Sequence, residues 1–400
     1  MVALAPSARA AGFSLYEWDT RATSMGGAVI ASPDATPATI AYNPAAMTQL
    51  EGMQTSAGVT FIAPSAKLST DGQDDVETKG KVYAAPNAYL TWQLNEDFWF
   101  GIGEFSRFGL GTNFDHNWWG ANNVYKASVE TISINPNLAY KVSDEFSVAA
   151  GAEIVFGQLD MRRNLSLAGP IEDIHMLPEG IAWTWNTALY WEPNDVVSIG
   201  LTYRKGFVFK GRGELDMSSS VFGDEAGDDE MTMTANFPGT VAGGIAFRAT
   251  DELTLEFDAV YTHWSEFTDM EYDFSQKTLN SSVYLNDLNT TSLKEYSNSL
   301  RLQVGAEYEV TPGTFLRCGY VYDPSPQNPE HMDYMLPANN RQIASVGLGL
   351  KWDNLSLDFG YSYLWSQDYV IDNDVTGVIE PTNVSEGVTH IGGLNFSYAF

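Results

Sequence analysis

Apolar and polar side chains alternate along most of this chain with a period of two residues. From Leu355 to Trp365, large apolar side chains occupy every odd position, and Ser, Asp and Gly occupy most of the positions between them. The same pattern recurs at 197–204, 253–261 and 300–308. Successive side chains of a β-strand point to opposite faces of its sheet, so each stretch predicts one two-faced strand. The chain is therefore predicted to be all-β.

The connections between these stretches alternate in length. Short turns such as 95–97 and 193–195 alternate with long polar loops such as 113–126 and 268–295. Six short turns and seven long loops predict fourteen strands, with tight turns on one rim and long loops on the other. Lipid offers the backbone no hydrogen-bond partners, so every N–H and C=O group must pair within the sheet, and such a sheet must close. We therefore predict a fourteen-stranded antiparallel transmembrane β-barrel at residues 54–400.

Composition excludes several classes of function. The 400 residues carry 51 acidic and 21 basic side chains, and a net charge of −30 disfavours binding to nucleic acid. The single cysteine, Cys318, excludes an internal disulfide and a thiolate-rich zinc site. The sequence contains no nucleophile elbow, phosphate loop or pair of histidines at zinc-ligand spacing. We expect no enzymatic activity, no cofactor and no metal.

Short motifs outside the alternating stretches carry a family resemblance. Asn43-Pro44-Ala45 precedes the first predicted strand, and 135–142, 237–240, 263–267 and 336–341 add further matching stretches. With the predicted strands, they resemble the outer-membrane long-chain fatty acid transporter family, which includes aromatic hydrocarbon channels. The resemblance covers nearly the whole chain from residue 11 onward.

The resemblance implies an N-terminal hatch inside the lumen. Residues 11–53 would form this hatch, because a barrel of this size encloses more space than its own side chains fill. Residues 1–10, which end in a small-x-small pattern, are interpreted as the remainder of a signal peptide or a disordered start. The expected location is the bacterial outer membrane.

The resemblance further implies passive uptake of hydrophobic molecules, most of all long-chain fatty acids. External loops would capture the ligand, and the hatch would bind it. The candidate hatch residues are Phe13, Leu15, Tyr16, Trp18, Asn43, Pro44 and Ala45. The candidate loop residues are Phe114, Trp118, Trp119, Leu165, Leu167, Ile174 and Leu177. The alternative for the loops is that they pack on one another as a lid.

The third predicted strand breaks its own alternation. Phe98, Phe100 and Ile102 share one face, and strict alternation would place Glu104 and Ser106 beside them in lipid. Since a carboxylate in hydrocarbon costs about 3 kcal/mol, a kink is expected nearby. In the family, a kink of the third strand makes a lateral opening; the alternative is a harmless bulge or an early strand end. The candidate residues of the opening are Gly103, Glu104, Ser106, Gly109 and Gly111.

Alternation also aims four arginines into the lumen. They are Arg204, Arg248, Arg301 and Arg317, and we expect most of them to pair with lumen carboxylates or hatch carbonyl groups rather than with a ligand. The expected partners are a hydrophobic small molecule, membrane lipid and lipopolysaccharide, and the expected state is a monomer. A hydrocarbon channel of the same fold, a polar-solute porin, a barrel enzyme and an adhesin remain alternatives.

Overall fold

The computed structural model describes residues 12–165, 172–219, 223–275, 291–372 and 379–400. Its strands form one sheet. They are β1 (Met53–Thr70), β2 (Val76–Glu77), β3 (Tyr83–Gln93), β4 (Phe98–Phe105), β5 (Gly109–Asn113), β6 (Lys126–Lys141), β7 (Phe146–Leu165), β8 (Glu172–Met176), β9 (Glu179–Asn194), β10 (Val197–Arg204), β11 (Phe207–Ser219), β12 (Gly223–Phe237), β13 (Thr240–Arg248), β14 (Leu253–Thr262), β15 (Asp269–Phe274), β16 (Thr291–Leu293), β17 (Ser299–Thr311), β18 (Thr314–Asp323), β19 (Arg341–Trp352), β20 (Leu355–Ser366), β21 (Tyr369–Ile371) and β22 (Thr382–Ala399).

The sheet closes on itself through antiparallel pairs. The ring runs β1–β3–β4–β6–β7–β9–β10–β13–β14–β17–β18–β19–β20–β22 and returns to β1. In the closing pair, Gln54 lies opposite Ala399 and Thr70 lies opposite Thr382. The prediction of an all-β, closed antiparallel barrel is therefore confirmed.

The number of strands differs from the expectation. The sheet contains 22 strands instead of fourteen uninterrupted ones. Lys205 and Gly206 separate β10 from β11, and Pro238 and Gly239 separate β12 from β13. Proline lacks a backbone donor and glycine lacks a side chain to pack, so both interrupt a strand. Fourteen strands form the ring itself, and the other eight, among them β11 and β12, extend or flank it. The expectation of fourteen uninterrupted strands was therefore wrong, because counting turns and loops does not detect such breaks.

The outer face of the ring is apolar. On β20, Phe359 and Tyr361 are each 45% exposed, whereas Asp358 and Ser362 on the opposite face are buried. On β22, Leu394 and other alternate apolar residues are likewise exposed. A surface of this kind is the reverse of that of a soluble barrel. The predicted alternation therefore places apolar side chains outward and polar ones inward.

The N-terminal segment, residues 12–52, contains three short helices. They are α1 (Thr20–Ser24), α2 (Thr39–Tyr42) and a 3₁₀ helix at Pro44–Gln49. Further 3₁₀ helices lie at Trp264–Glu266 and Pro329–His331. Helices this short depend on packing for stability. Of the helices in the described ranges, none has the length and apolar character to span a membrane.

The N-terminal segment packs against strands on several sides of the ring. Helix α1 contacts β18, β19, β20 and β22, and the 3₁₀ helix contacts β4, β6, β7 and β9. Asp19 caps α1 by accepting a hydrogen bond from the Ala22 N–H at 3.0 Å. Asn43 accepts from the Ala45 N–H at 3.1 Å at the start of the 3₁₀ helix. The segment is therefore held between two groups of strands that lie far apart in the ring.

Buried charges join this segment to the inner face of the sheet. Arg21 donates to Glu307, with Nη2 2.9 Å from Oε1. Glu307 also pairs with Arg317, and Arg317 Nη1 lies 2.5 Å from Asp358 Oδ1. All four side chains are buried. Because each charge faces an opposite one, the network avoids an uncompensated buried ion.

On the opposite side, β14 binds the backbone of the segment. Asp258 Oδ2 accepts hydrogen bonds from the N–H groups of Val29 and Ile30 at 2.9 and 3.0 Å. Glu256 Oε1 accepts from the Ala31 N–H at 2.6 Å. Two carboxylates thus satisfy three amide donors that no helix or strand pairs.

Replacing Glu307 by Gln should destabilise the folded protein by about 3–5 kcal/mol. The substitution leaves Arg21 and Arg317 buried next to a neutral amide. Equilibrium unfolding in urea, with the protein in detergent micelles, measures this change in the free energy of unfolding.

Glu96→Gln is the matched control, because Glu96 is exposed in the turn between β3 and β4. It should change the free energy of unfolding by less than about 0.5 kcal/mol. Equal effects of the two substitutions would contradict the role given to the buried network.

Candidate functional site

The third wall strand is interrupted at Ser106–Phe108. β4 ends at Phe105, which lies opposite Ser133 of β6, and β5 begins at Gly109, which lies opposite Glu130. Residues 106–108 therefore lie opposite only two residues of β6, 131 and 132, and one extra residue on one strand defines a β-bulge. Within the break, Arg107 and Phe108 are buried. The chain bends inward at this point.

The break opens a gap in the wall. Pairing between β3 and β4 ends where Ala88 lies opposite Glu104. Residues 83–87 of β3 continue to pair with β1, whereas β5 pairs with β6 alone. Above the opening, the Lys79 N–H donates to the Asn113 carbonyl at 2.7 Å. We call the opening between 83–87 and 106–113 the lateral gap.

The start of the N-terminal segment lies alongside the inward bend. The Leu15 N–H donates to the Arg107 carbonyl at 2.8 Å, and the Gly109 N–H donates to the Phe13 carbonyl at 2.9 Å. These bonds resemble those of one antiparallel bridge. The segment therefore satisfies backbone groups that β3 does not pair at the lateral gap.

A cavity of about 910 Å³ lies at the lateral gap. Its lining includes the buried Phe13 and Phe108 and also Ile132, Phe156 and Ile181, which are 43–57% exposed on the outer face. One space therefore reaches from the interior to the outside of the wall. Most of its surface is apolar, as expected for a site that takes up a hydrophobic molecule.

A second, narrow cavity of about 40 Å³ adjoins the first. Phe13 and Leu336 line both cavities. The second cavity also contacts Lys294, whose Nζ lies 2.5 Å from Asp333 Oδ2. Burial, and then the charge of Asp333, raises the pKa of the Tyr296 hydroxyl well above its usual range, so this lining group stays neutral.

Phe13 is the centre of an aromatic cluster between the two cavities. Its ring centroid lies 5.1 Å from that of Trp264, 5.2 Å from Phe267, 5.6 Å from Phe237 and 5.8 Å from Phe108. Three of these contacts are edge-to-face, an arrangement that aromatic rings favour. The N-terminal segment thus brings one apolar side chain into contact with three separate parts of the barrel.

The predicted hatch residues divide into two groups. Phe13 and Leu15 line the large cavity. Tyr16 instead lies under Arg301, with the guanidinium 4.4 Å from the ring centroid, and Trp18 donates to the Ser106 carbonyl at 2.7 Å. Neither lines a described cavity, because polar partners hold both against the wall.

The predicted Asn43–Ala45 motif lies away from both cavities. The Asn43 amide donates to the carbonyls of Ile30 and Leu189 at 2.8 and 3.0 Å. These contacts join two parts of the N-terminal segment to β9. Asn43 and Ala45 are fully buried in this packing, and contact of Asn43, Pro44 and Ala45 with a ligand stays a prediction.

The predicted loop residues form a packed cluster rather than an exposed groove. Phe114 and Trp118 stack with centroids 4.0 Å apart, and Tyr334 of another loop lies 5.1 Å from Trp118 and 5.5 Å from Trp119. Phe114, Trp118 and Ile174 are buried. Such packing matches the alternative that we gave, in which the loops form a lid.

Of the remaining loop residues, only Leu177 has a described side chain. Leu177 is half-buried and lines neither cavity. The side chain of Leu165, the residue Leu167 and the predicted start at 1–10 lie outside the described residues.

The residues of the predicted opening also divide. Ser106, Gly109 and Gly111 line the large cavity. Gly111 leaves room for Tyr83, because a Cβ atom at this glycine would lie 2.0 Å from Tyr83 Cζ. Gly103, in the part of β4 that pairs with β3, packs against Tyr89 instead.

Glu104 is the last residue of β4 that pairs with β3, and it is neither exposed nor fully buried. Its Oε1 has no hydrogen-bond partner among the described residues. Glu104 lines neither cavity, because the wall opens only above it.

The four predicted lumen arginines are all paired. Arg204 donates to the Ile40 and Ala41 carbonyls at 2.7 and 2.8 Å. Arg248 binds Glu192 at 2.7 Å. Arg301 and Arg317 bind Asp323, at 3.1 Å, and Asp358, at 2.5 Å. Each of the four thus has a carboxylate or carbonyl partner within the protein, as we expected of most of them.

Two cationic residues near the cavities were missed by the sequence analysis. Lys294 was assigned to a long external loop, where a solvated lysine is expected, yet it is 4% exposed. Arg163 on β7 has a buried Nε without a hydrogen-bond partner among the described residues. Arg163 lies beside Tyr272, and Met270 on the same strand as Tyr272 lines the second cavity. Alternation along β7 places Arg163 on the same face as the buried Leu159 and Met161. That pattern is the one sequence signal that could have revealed the burial of Arg163.

Metal binding has no support in the described ranges. No group of three or more His, Cys, Asp or Glu side chains there could hold an ion.

The chain is similar to known outer-membrane proteins over almost all of its length. It is 23% identical to the long-chain fatty acid transport protein of Escherichia coli O6:H1, across 99% of this chain and 96% of that protein. The crystal structure of a Pseudomonas aeruginosa FadL homologue matches with a TM-score of 0.84 at 19% identity, covering 97% of this chain and 99% of that one. The Ralstonia pickettii toluene transporter TbuX matches with a TM-score of 0.73 at 16% identity, covering 97% and 100%.

These similarities confirm the fold, and a family model decides the membership. The model described as "Outer membrane protein transport protein (OMPP1/FadL/TodX)" matches residues 1–400. The closed sheet, the apolar outer face and this full-length match agree. The chain belongs to the OMPP1/FadL/TodX family of outer-membrane transport proteins.

Proposed function

We propose that this protein takes up hydrophobic molecules passively across the outer membrane, and that its main ligands are long-chain fatty acids. The ligand would enter between the external loops, bind beside Phe13 and Leu15, and leave sideways through the lateral gap. The observation that carries the proposal is the large cavity, whose lining extends from the interior of the barrel to its outer face.

The N-terminal segment, within the predicted boundaries 11–53, would act as the hatch of a barrel formed by 54–400. Its anchors support this role: Arg21 binds Glu307, and Asp258 binds the backbone of Val29 and Ile30. A ligand that cannot pass such a segment must leave through the wall. The lateral gap is the described place where the wall is unpaired beside a cavity.

The size of the cavity favours a long chain over a single aromatic ring. A dry apolar cavity of about 150 Å³ is enough to bind benzene. The cavity at the lateral gap is about six times larger, at about 910 Å³. Each CH₂ group buried in it would contribute about 0.8 kcal/mol, so affinity should rise with chain length.

Buried cations near the second cavity favour a ligand with an anionic head. The unpaired Nε of Arg163 is costly unless a partner satisfies it. Lys294 lies in the lining, although Asp333 already pairs with it. A carboxylate reaching Arg163 would gain a charge-assisted hydrogen bond.

The alternative ligand class is an aromatic hydrocarbon or an alkane. It is favoured by the likeness to toluene transporters and by the aromatic cluster around Phe13. The relatives named for fatty acid transport favour the first class. Binding of membrane lipid and lipopolysaccharide, and the monomeric state, remain predictions.

Removing the proposed hatch should turn the protein into an ion channel. A variant in which a short Gly-Ser linker replaces residues 19–50 loses the anchored helices but keeps Phe13–Trp18. We expect single-channel conductance in planar bilayers for this variant and none for the unmodified protein, because water and ions would fill the lumen.

A heat-modifiable shift on electrophoresis serves as the control that the variant barrel is folded. A folded variant that stays closed, or an unmodified protein that conducts as well as the variant, would argue against the hatch.

Cross-linking the lateral gap should stop uptake and leave binding intact. In a Cys318→Ser background, Ala85→Cys and Ser106→Cys place thiols on the two edges of the large cavity. A cleavable bismaleimide between them should reduce oleate uptake by cells at least tenfold, because the exit is blocked. Oleate binding to the detergent-purified protein should be unchanged, and cleavage of the linker should restore uptake.

The matched control is a cross-link between Leu90→Cys and Ile102→Cys, two positions that already face each other on β3 and β4. That link should have no effect. Normal uptake through the cross-linked gap would rule out lateral exit at this place.

A further inference from the structure

The charged residues that line the large cavity are not evenly distributed. Glu130 and Glu179 lie on the side of β6 and β9, and Glu17 lies on the inner side. Lys79 and Lys81 lie on the opposite edge, where the chain enters β3, and Arg341 lines the cavity at the start of β19. A chain with 51 acidic and 21 basic residues would not be expected to place two lysines together at one cavity edge.

Lys81 carries the free charge of this edge. Lys79 is already neutralised, since its Nζ lies 2.6 Å from Asp115. The lining cation Arg341 is paired as well, with Nη2 2.7 Å from Asp323 Oδ2. Lys81 is exposed and forms no ion pair with any residue of the described ranges. Its Nζ lies 4.7 Å from the centroid of the Tyr83 ring, which holds the ammonium group at the cavity edge by a cation–π contact.

The height of Lys81 matches that of a lipid headgroup. β3 runs 11 residues from Tyr83 to Gln93, which is the length of strand that crosses a bilayer. Gln93 lies beside the short turn at the other end of β3, so Lys81, two residues before Tyr83, lies at the opposite interface, on the side of the long loops. A fatty acid in the outer leaflet would hold its carboxylate at this level, with its tail in the hydrocarbon below.

We propose that Lys81 is a specificity-determining residue of the lateral gap: it binds the anionic head of a ligand that leaves sideways, and so favours fatty acids over neutral hydrophobic molecules. Glu17, Glu130 and Glu179 repel the same carboxylate from the other sides, so the head is directed toward Lys81. The inference rests on the proposed function and names which ligand class the gap favours.

The test compares two ligands that share one tail. Cells without their own fatty acid transporter express the unmodified protein, Lys81→Glu, Lys81→Gln or Lys81→Arg, and take up radiolabelled oleate or oleyl alcohol at subsaturating concentration. Lys81→Glu should lower oleate uptake about twofold to fivefold, the range for one exposed ion pair. Lys81→Gln should have a smaller effect, Lys81→Arg should keep oleate uptake, and oleyl alcohol uptake should not change.

Lys210→Glu is the matched control, because Lys210 is an exposed lysine on β11 that lines neither cavity. It should leave the uptake of both ligands unchanged, and a heat-modifiable shift confirms that each variant is folded. An equal loss for both ligands, or unchanged oleate uptake in Lys81→Glu, would overturn the inference alone. Oleyl alcohol uptake without oleate uptake by the unmodified protein would overturn the inference together with the assignment of fatty acids as the main ligands. Uptake of neither ligand by the unmodified protein would overturn the proposed function.

Discussion

Backbone hydrogen bonding is the constraint on which the structure depends. A sheet that faces lipid must pair its N–H and C=O groups, and the ring from β1 to β22 does so by closing. At Ser106–Phe108 the ring departs from this rule, because the chain bends inward after β4 and β5 does not pair with β3. There the N-terminal segment supplies the missing partners, through Leu15 to Arg107 and Gly109 to Phe13. The wall and the N-terminal segment are therefore parts of one hydrogen-bonded structure at the lateral gap.

This arrangement joins three features in one place. The inward bend makes room for the large cavity, the N-terminal segment lines it with Phe13 and Leu15, and the unpaired edge of β3 connects it with the outer face. Buried ion pairs fix the lower part of the segment, as between Arg21 and Glu307. In the proposed function, the anchored part keeps the lumen closed, and the part around Phe13 meets the ligand.

The sequence predicted the closed sheet and its two faces, because alternation is a local property of each strand. It also predicted an irregularity near Glu104, since a carboxylate could not continue the lipid face of β4. It did not predict which loop side chains are buried: Trp118 packs on Tyr334, which lies far along the chain, and no local pattern reports that contact. Lys294 and Arg163 were missed for the same reason, because their burial depends on residues distant in sequence.

The most direct measurement locates the ligand itself. A fatty acid with a diazirine in its tail, irradiated on the purified protein and mapped by mass spectrometry, reports the residues that its tail contacts. We expect the label on Phe13–Leu15 and on residues 106–113, and competition by unlabelled oleate should remove it. Label confined to the outer faces of β18–β22, or label that oleate does not displace, would contradict a binding site beside the N-terminal segment at the lateral gap.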